Sequence, residues 1–330
     1  MRVSFYVFSM KNRQVFSKKI KLIGSILLGL FLVVNLLLAF QAYRFTYFYE
    51  SKDVPFKKLD DMSVSEKLSG ILFGFKFPKR TIDTLPSYPF ETVSLKNKAG
   101  LQLEGWYVKA DSVAKGTVIL FHGHGSCKQK VLAEANFFHR LGYNTLAMDL
   151  QAHGHSEGNV CTIGYQESED VNVAYQYIAK LGEKNIVLWG MSLGAAVILK
   201  AVPEYHLQPS KIIAECSFAS LSDAVKGKLR MMHVPETPVS QLLLLWGSAE
   251  RGFWGYSHQP AEYVKGITSP TLIQWGAKDP RVSREETLQL YENLASPSKK
   301  LVVFENSQHQ SFCKSEPAKW EESVTTFLEK

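Results

Sequence analysis

Residues 185–194 read Asn-Ile-Val-Leu-Trp-Gly-Met-Ser-Leu-Gly. An apolar run that ends in Gly-x-Ser-x-Gly predicts a strand, a sharp turn and the start of a helix, with Ser192 at the apex of the turn. A serine at that apex has a strained backbone, and Gly190 and Gly194 let the chain fold tightly enough to expose its hydroxyl group. Ser192 is therefore the candidate nucleophile. Because glycine and serine are common, the pattern alone also fits a simple glycine-rich turn.

Two further residues supply the partners that a nucleophilic serine requires. A serine hydroxyl needs a histidine base, and the histidine needs a carboxylate to orient it. Asp279 follows the apolar strand pattern at 271–275, and His309 follows the one at 300–304. Each residue lies one loop beyond a predicted strand, and the chain order Ser-Asp-His is typical of one class of serine hydrolase. Taken singly, Asp279 is also a common turn residue before proline, and His309 a surface-loop histidine.

A fourth motif predicts where the negative charge of an acyl-transfer intermediate is stabilised. The sequence His-Gly-His-Gly begins at His122, directly after a strong strand pattern. Acyl transfer requires backbone N–H groups directed at the developing oxyanion. We expect these donors at Leu193, the residue after the nucleophile, and at His124, with His122 and Gly123 forming the adjoining active-site loop. Metal binding is the alternative, but two histidines at i and i+2 without a nearby carboxylate make a poor zinc site. No metal or cofactor is expected.

These motifs together resemble the α/β-hydrolases of the serine aminopeptidase and monoacylglycerol lipase-like group. The segment 149–158 adds to the resemblance, because Asp-Leu-Gln-Ala-His-Gly-His-Ser-Glu-Gly is similar to the family's Asp-x-x-Gly-His-Gly-x-Ser stretch. Ala152 replaces the usual glycine, which affects the expected loop geometry and not the chemistry. The resemblance implies that His153 and His155 brace the active-site loops. It extends from about residue 88 to the C-terminus.

Strand and helix patterns alternate through this part of the chain. Helical patterns occur at 129–141, 167–181 and 285–294, and strand patterns at 91–95, 101–108, 117–121, 143–149, 185–189, 211–217, 271–275 and 300–304. The first two strands form a hairpin. Strands that alternate with helices predict an α/β fold, with a mostly parallel eight-stranded sheet flanked by helices on both faces. One hydrolase domain over 88–330 fits the length.

The stretch between the sixth strand and Asp279 is too long for a plain crossover. The resemblance implies a small helical cap at about 218–264. Its apolar residues include the run 242–246 and Phe253 with Trp254. They either line a pocket for a hydrophobic substrate group or pack the cap onto the sheet, and both interpretations stay open.

The N-terminus predicts a membrane segment. Residues 22–42 carry no charge and are long enough to cross a bilayer as a helix. The charge before them is entirely positive, from Arg2, Lys11, Arg13, Lys18, Lys19 and Lys21. The remaining 32 basic residues nearly balance the 31 acidic ones, so the net charge of +7 indicates membrane topology and not nucleic-acid binding. We predict a cytoplasmic segment at 1–21, an uncleaved signal-anchor at 22–42 and a catalytic domain beyond the membrane. A cleaved signal peptide, which would leave a periplasmic or secreted enzyme, is the alternative.

Residues 43–87 connect the predicted anchor to the predicted domain. The apolar segment 65–77, which basic residues follow, either rests on the lipid surface or packs against the hydrolase domain. The four cysteines follow predicted strands, at Cys127, Cys161, Cys216 and Cys313. We expect free thiols, with a disulfide between the first two as the alternative.

Two classes of function fit these features. The first is a membrane-anchored serine hydrolase that cleaves a small or lipid-like ester through an acyl-enzyme, with amides, peptides or thioesters as alternative substrates. The second is a catalytically silent α/β-hydrolase fold used for binding. The complete set of motifs favours the enzyme, and the ester is favoured because its leaving group departs more easily. If Asp279 is not the acid, Asp223 is the next candidate. The sequence does not specify an oligomeric state.

Overall fold

The computed structural model describes residues 2–50, 52 and 61–330. Its first element is a long helix, α1 (Arg2–Phe45), and the stretch Lys18–Phe45 of this helix is long and apolar enough to cross a membrane. The predicted span at 22–42 lies wholly inside α1. Side chains are described from Lys18 onward, so those of Arg2, Lys11 and Arg13 in the basic cluster lie outside the described residues, as do 51 and 53–60 of the predicted connecting segment.

Three short elements follow α1. They are β1 (Phe48–Tyr49), α2 (Val64–Phe73) and β2 (Phe77–Pro78). Strands β1 and β2 pair in parallel, and α2 begins with a capping box in which Ser63 and Glu66 satisfy each other's free backbone N–H groups. The amide of Gln41 donates to the carbonyl oxygen of Gly70 at 2.8 Å, which ties α2 to the end of α1. Helix α2 therefore packs on the predicted anchor.

The centre of the fold is one eight-stranded sheet, as the sequence predicts. Its strands are β3 (Phe90–Lys96), β4 (Gln102–Val108), β5 (Thr117–Phe121), β6 (Asn144–Met148), β7 (Ile186–Met191), β8 (Lys211–Glu215), β9 (Thr271–Gly276) and β10 (Lys299–Phe304). Their spatial order is β10-β9-β8-β7-β5-β6-β4-β3. Only β4 pairs antiparallel, with β3 and with β6. Every residue of β5 and β9 is buried, which explains why central strands covered on both faces read as continuous apolar runs.

Helices cover both faces of the sheet and build two apolar cores. The described helices after β5 are α3 (Leu132–Arg140), α4 (Ser168–Lys180), α5 (Leu193–Glu204), α6 (Leu221–Met231), α7 (Val239–Arg251), α8 (Pro260–Tyr263), α9 (Arg284–Asn293), α10 (Phe312–Ser315) and α11 (Pro317–Glu329). On one face α4, α5 and α9 contribute residues such as Val171, Val197 and Leu290 to the core. On the other face Phe138 of α3 packs with Trp320 of α11.

Helices α6, α7 and α8 lie within the region at 218–264 that the sequence assigns to a cap. The end of α1 packs along α7, where the indole N–H of Trp246 donates to the side-chain oxygen of Asn35 at 3.2 Å. The chain then enters the hydrolase domain, because Phe48 of β1 is 1% exposed and its N–H donates to the carbonyl oxygen of Asn159 at 2.7 Å. The start of the predicted connecting segment is thus part of the packed domain.

Strand β5 lies between β6 and β7, so the order of the strands reverses there. In open parallel sheets, ligands bind at the carboxyl ends of the strands beside such a reversal. The His-Gly-His-Gly motif follows β5, and Ser192 follows β7. The topology therefore brings the two motifs together at the edge of the sheet where binding sites occur.

Candidate active site

Ser192 occupies the sharp turn between β7 and α5 that the sequence predicts. Its φ of 55° and ψ of −114° are unusual for a residue with a side chain. Gly190 and Gly194 allow this turn, since a Cβ on Gly194 would collide with the backbone of Phe121 and one on Gly190 with the backbone of Gly194. The N–H of Ser192 donates to the carbonyl oxygen of Glu215 at 2.7 Å and holds the turn against β8. The hydroxyl group stands at the amino end of α5.

The structure brings Ser192, His309 and Asp279 into one hydrogen-bonded chain. Nε2 of His309 lies 2.9 Å from Oγ of Ser192, and Nδ1 lies 2.7 Å from Oδ2 of Asp279. With the proton on Nδ1, the imidazole donates to the carboxylate and accepts from the serine hydroxyl, which is the arrangement that activates a serine. In the sequence, Ser192 lies 117 positions and Asp279 30 positions before His309. The loops after β7, β9 and β10 bring the three residues together.

The Asp279 carboxylate is built to remain ionised. Oδ1 accepts the backbone N–H groups of Arg281 at 2.7 Å and Val282 at 3.0 Å, while Oδ2 accepts from His309. Burial raises the pKa of Asp279, but these hydrogen bonds and the nearby imidazole outweigh it and hold the pKa below 3.8. The alternative acid, Asp223, lies in the first turn of α6, where its carboxylate accepts from the hydroxyl group of Ser220 and pairs with Lys226 at 3.1 Å.

The two backbone N–H groups that the sequence selects as oxyanion donors have no protein acceptor in the described part of the chain. These are the N–H groups of His124 and Leu193. Gly123 lies beside the nucleophile, since a Cβ placed on it would be 3.6 Å from the Cβ of Ser192. Leu193 is the first residue of α5, where the helix dipole also favours negative charge. Both groups are thus free to donate to a bound oxyanion.

Two neighbouring histidines are buried, neutral and structural. His122 donates from Nδ1 to the carbonyl oxygen of Gly123 at 2.8 Å and accepts the N–H of Leu150 at Nε2, and burial lowers its pKa to about 4. His153 accepts the N–H of Gly125 at Nε2, and burial lowers its pKa to about 3. These contacts make His153 a brace for the loop after β5. His155, in contrast, is exposed and pairs with Glu104 at 2.8 Å.

Asp149 also holds the loop after β5 in place. Its carboxylate accepts the backbone N–H groups of Lys128 at 2.6 Å and His155 at 2.9 Å, and it pairs with the fully buried Lys128 ammonium group at 2.5 Å. A Cβ on Gly154 would collide with this carboxylate, so the family-like segment needs glycine there. Ala152, which replaces the usual glycine, has a positive φ of 64°. The departure therefore stores backbone strain of about 1 kcal/mol in the loop and leaves the hydrogen bonds in place.

Pattern reading did not single out Cys216 as part of the site. Its Sγ, a carboxylate oxygen of Asp279 and a ring nitrogen of His309 all lie within 4.8 Å of one another. Cys216 directly follows β8, so its place in the sequence is the signal that could have indicated it. In the structure its φ is 48°. Although such a set could ligate a metal, Asp279 and His309 already bond to each other and to Ser192, which fits a triad better. Cys127, Cys161 and Cys313 are also free thiols in the structure.

A surface cavity of about 500 Å³ lies away from these motifs, near the carboxyl end of α5. Its walls include Tyr165, Lys200, Glu204 and Tyr263. None of the motif residues lines it. The hydrogen-bonded chain that starts at Ser192, and not this cavity, therefore locates the candidate active site.

Comparison with known proteins agrees with this geometry. Residues 112–252 match the family model described as serine aminopeptidase, S33. The uncharacterized protein YqkD of Bacillus subtilis is 24% identical over 70% of this chain and 76% of its own length. The lysophosphatidylserine lipase ABHD12 of Xenopus tropicalis is 22% identical over 78% of this chain and 64% of its own. Among solved structures, the Pyrococcus furiosus esterase Pf2001 superposes with a TM-score of 0.65 at 24% identity, covering 76% of this chain and 96% of the esterase. The predicted resemblance to α/β-hydrolases and the predicted fold are confirmed.

Proposed function

We propose that this chain, which is an α/β-hydrolase, is a membrane-anchored serine hydrolase that cleaves an ester through an acyl-enzyme on Ser192. One observation carries the proposal, namely the chain of hydrogen bonds from Ser192 through His309 to Asp279, with distances of 2.9 and 2.7 Å. A serine, a histidine and an ionised aspartate in this order have a specific chemical use, which is to make a hydroxyl group nucleophilic at neutral pH. A fold kept only for binding has no need of it.

The proposed mechanism follows from the same contacts. Oγ of Ser192 attacks the ester carbonyl carbon while Nε2 of His309 takes its proton, and the negative charge moves to the carbonyl oxygen. The N–H groups of Leu193 and His124 donate to that oxygen. His309 then gives its proton to the departing alkoxide, which leaves an acyl group on the serine. A water molecule releases the acyl group by the same steps, with His309 again acting first as base and then as acid.

The ionised carboxylate of Asp279 stabilises the positive charge that His309 carries in both transition states. Because the pKa of Asp279 lies below 3.8, the proton stays on the imidazole when the imidazolium forms. The carboxylate also fixes the tautomer in which Nε2 is free to accept. These two effects are worth about four orders of magnitude in turnover in other triads.

Relatives guide the choice of substrate. The relatives include a lysophosphatidylserine lipase and an esterase, both named above. A third, the mitochondrial palmitoyl-protein thioesterase ABHD10 of Rattus norvegicus, is 23% identical over 55% of this chain. All three names are those of ester or thioester hydrolases. We therefore place carboxylic esters, including lipid esters, first and thioesters second. Amide or peptide cleavage comes third, because an amine departs less easily than an alcohol.

Membrane anchoring is supported by the surface of α1. The apolar side chains from Leu22 to Leu36 are mostly more than half exposed to solvent, and a bilayer would bury them. The unopposed positive charge before residue 22 favours a cytoplasmic N-terminus and a hydrolase domain, residues 88–330, on the other side. A C-terminal reporter that is active only outside the cytoplasm tests the orientation. The mass of the membrane-extracted protein separates an uncleaved anchor from a signal peptide.

Labelling with a fluorophosphonate, followed by peptide mapping, tests the enzyme assignment. We expect one modified residue, Ser192, in the purified full-length protein. In parallel, acyl esters of graded chain length, acyl thioesters and aminoacyl amides establish which bond is cleaved. If the probe leaves Ser192 unmodified and no ester, thioester or amide is hydrolysed, the silent binding protein becomes the better interpretation.

A further inference from the structure

Helix α6 of the cap carries three cations, and one of them differs from the other two. Lys226 pairs with Asp223 at 3.1 Å, and Arg230 pairs with Glu236 at 3.0 Å. Lys228 has no carboxylate within 4.0 Å in the described part of the chain, although it is more buried than a surface lysine ordinarily is. Buried charges are normally paired, because removing an ammonium group from water costs several kcal/mol unless a counter-ion compensates.

A second cation lies next to Lys228. Arg281 follows Asp279 in the loop after β9, and its backbone packs so closely on Gly227 of α6 that a Cβ there would collide with it. Among the described residues, the guanidinium group has one hydrogen-bond partner, the sulfur of Met231 at 2.7 Å, and that partner carries no charge. Burial and the charge of Arg281 together lower the pKa of Lys228 to about 8. Arg281 also interacts with the charge of Asp279, but in the described part of the chain neither cation has a carboxylate within 4.0 Å.

Both cations lie beside the loop that would hold the oxyanion. Nζ of Lys228 stands 5.9 Å from the ring centre of Phe45, and that ring also stacks on His124, with ring centres 4.9 Å apart. Burial, His153 and then the charges of Lys228 and Arg281 hold the pKa of His124 well below 6.5, so its ring is neutral. Its Nε2 atom is buried and has no hydrogen-bond partner in the described structure. In the described part of the chain, two cations without a carboxylate within 4.0 Å thus lie close to His124, in the predicted oxyanion loop.

We propose that Lys228 and Arg281 form an anion subsite, so that the preferred substrate of this hydrolase is an ester that also carries a carboxylate or a phosphate group. This inference rests on the proposed function and narrows its substrate class. The anionic group supplies the counter-ion that the two cations lack. A charge-assisted hydrogen bond contributes about 1.5–3 kcal/mol, which is about a tenfold to hundredfold preference for the charged ester.

Matched ester pairs test the subsite with the full-length protein in a non-ionic detergent, which adds no charge of its own. One pair compares 4-nitrophenyl hydrogen glutarate with its neutral methyl ester, and the other compares butyryl glycerol phosphate with butyryl glycerol. We expect the wild-type kcat/KM to be at least about tenfold higher for the anionic member of at least one pair. The pair that shows the preference distinguishes a carboxylate from a phosphate.

Three variants assign that preference to a residue. Lys228→Met should lower the ratio of anionic to neutral kcat/KM by about tenfold, and Lys228→Arg should restore it. Lys226→Met, on the same helix but from a cation with its own partner, should keep the wild-type ratio. A wild-type ratio near one in both pairs, or an equal loss in the two methionine variants, would overturn the anion subsite.

A binding measurement separates this inference from the proposed function. Butyl phosphate carries the anion but has no carboxylic ester, so its dissociation constant can be measured by calorimetry even if the protein hydrolyses nothing. We expect Lys228→Met to weaken its binding by about tenfold and Lys226→Met to leave it unchanged. Binding that depends on Lys228 without ester hydrolysis would support the subsite and contradict the hydrolase. Ester hydrolysis with no charge preference and no binding of butyl phosphate would do the reverse.

Discussion

The candidate active site and the place where α1 meets the cap are held together by different forces. Short polar contacts join Ser192, His309 and Asp279 on loops at the carboxyl ends of parallel strands. Close apolar packing joins α1 to α7, together with the hydrogen bond between Trp246 and Asn35. A change in the first region should therefore remove chemistry and leave the fold intact. A change in the second should cost stability while the chemistry persists.

The two regions are also neighbours. Arg251 of α7 donates to the hydroxyl group of Thr46 at 2.7 Å, and two residues later Phe48 packs against His153, with ring centres 4.5 Å apart. Phe48 also stands 5.1 Å from the ring of His124. The segment directly after the proposed anchor thus forms part of the wall behind the oxyanion loop. Substitutions in both regions show whether this wall stabilises the fold or takes part in catalysis.

The largest expected effect is on the nucleophile. Ser192→Ala should lower kcat for ester hydrolysis by about six orders of magnitude, the scale seen when other triads lose their serine. The turn and its glycines remain, so the thermal unfolding midpoint should stay near that of the wild type. Initial rates with a short acyl ester and circular dichroism give both quantities. Turnover within tenfold of the wild type would show that another residue is the nucleophile.

Asp279→Asn should cost about four orders of magnitude in kcat. The asparagine oxygen can still accept the N–H groups of Arg281 and Val282, which turns its NH₂ group toward Nδ1 of His309. Nδ1 then accepts a hydrogen bond from the amide, so the single proton of the neutral imidazole lies on Nε2 and no base faces the serine. Asp223→Asn is the matched control and should change kcat by less than tenfold. Equal effects of the two substitutions would show that Asp279 has no special role.

The difference between the two regions also explains what the sequence predicts and what it does not. Each residue of the candidate triad follows an apolar strand pattern, so local periodicity and chain order locate it. The strands themselves are recognisable because covered parallel strands are apolar on both faces. The placement of Ser192 at a positive φ follows from the same local pattern.

Contacts between distant segments have no such signal. Trp246 and Asn35 are 211 positions apart, and neither lies in a motif. The sequence assigns residues 43–87 to a segment that connects the anchor to the domain, yet Phe48 within it is almost completely buried. Lys228 looks like any helix-surface lysine until the structure shows that its neighbours Lys226 and Arg230 have partners. Burial and pairing depend on the whole fold, and a single sequence does not contain them locally.

Phe48→Ala tests the structural interpretation of the wall. Removing a fully buried phenyl ring should lower the free energy of unfolding by about 3–5 kcal/mol, through lost burial and the cavity left behind. The loss of kcat/KM should stay far below that of Asp279→Asn. Urea denaturation in detergent and steady-state kinetics measure the two effects. Val113→Ala, at a side chain that is 95% exposed, is the control and should change stability by less than about 0.5 kcal/mol. A loss of activity as large as that of Asp279→Asn, without loss of stability, would mean that Phe48 acts in the chemistry.

The smallest expected effects come from a pair of substitutions at Gly247, where α7 approaches α1. A Cβ on Gly247 would lie 3.9 Å from the Cβ of Ala42, which is ordinary contact, so there is room for a methyl group and for little more. Gly247→Ala should therefore stabilise the protein by about 0.5–1 kcal/mol, because alanine costs less than glycine inside a helix. Gly247→Leu should destabilise it by about 1–3 kcal/mol, since the larger side chain must push α7 away from the buried Ala42. Unfolding midpoints of the two variants, measured in the same detergent, give the sign of each change in stability.

If both variants have the same stability, α7 does not pack on α1 in the folded protein, and the proposed span and the cap are independent of each other. If the signs are opposite, the cap is fixed to the part of α1 between Asn35 and Ala42 that the proposed span assigns to the bilayer. The wall behind the oxyanion loop is then held in place from the membrane side.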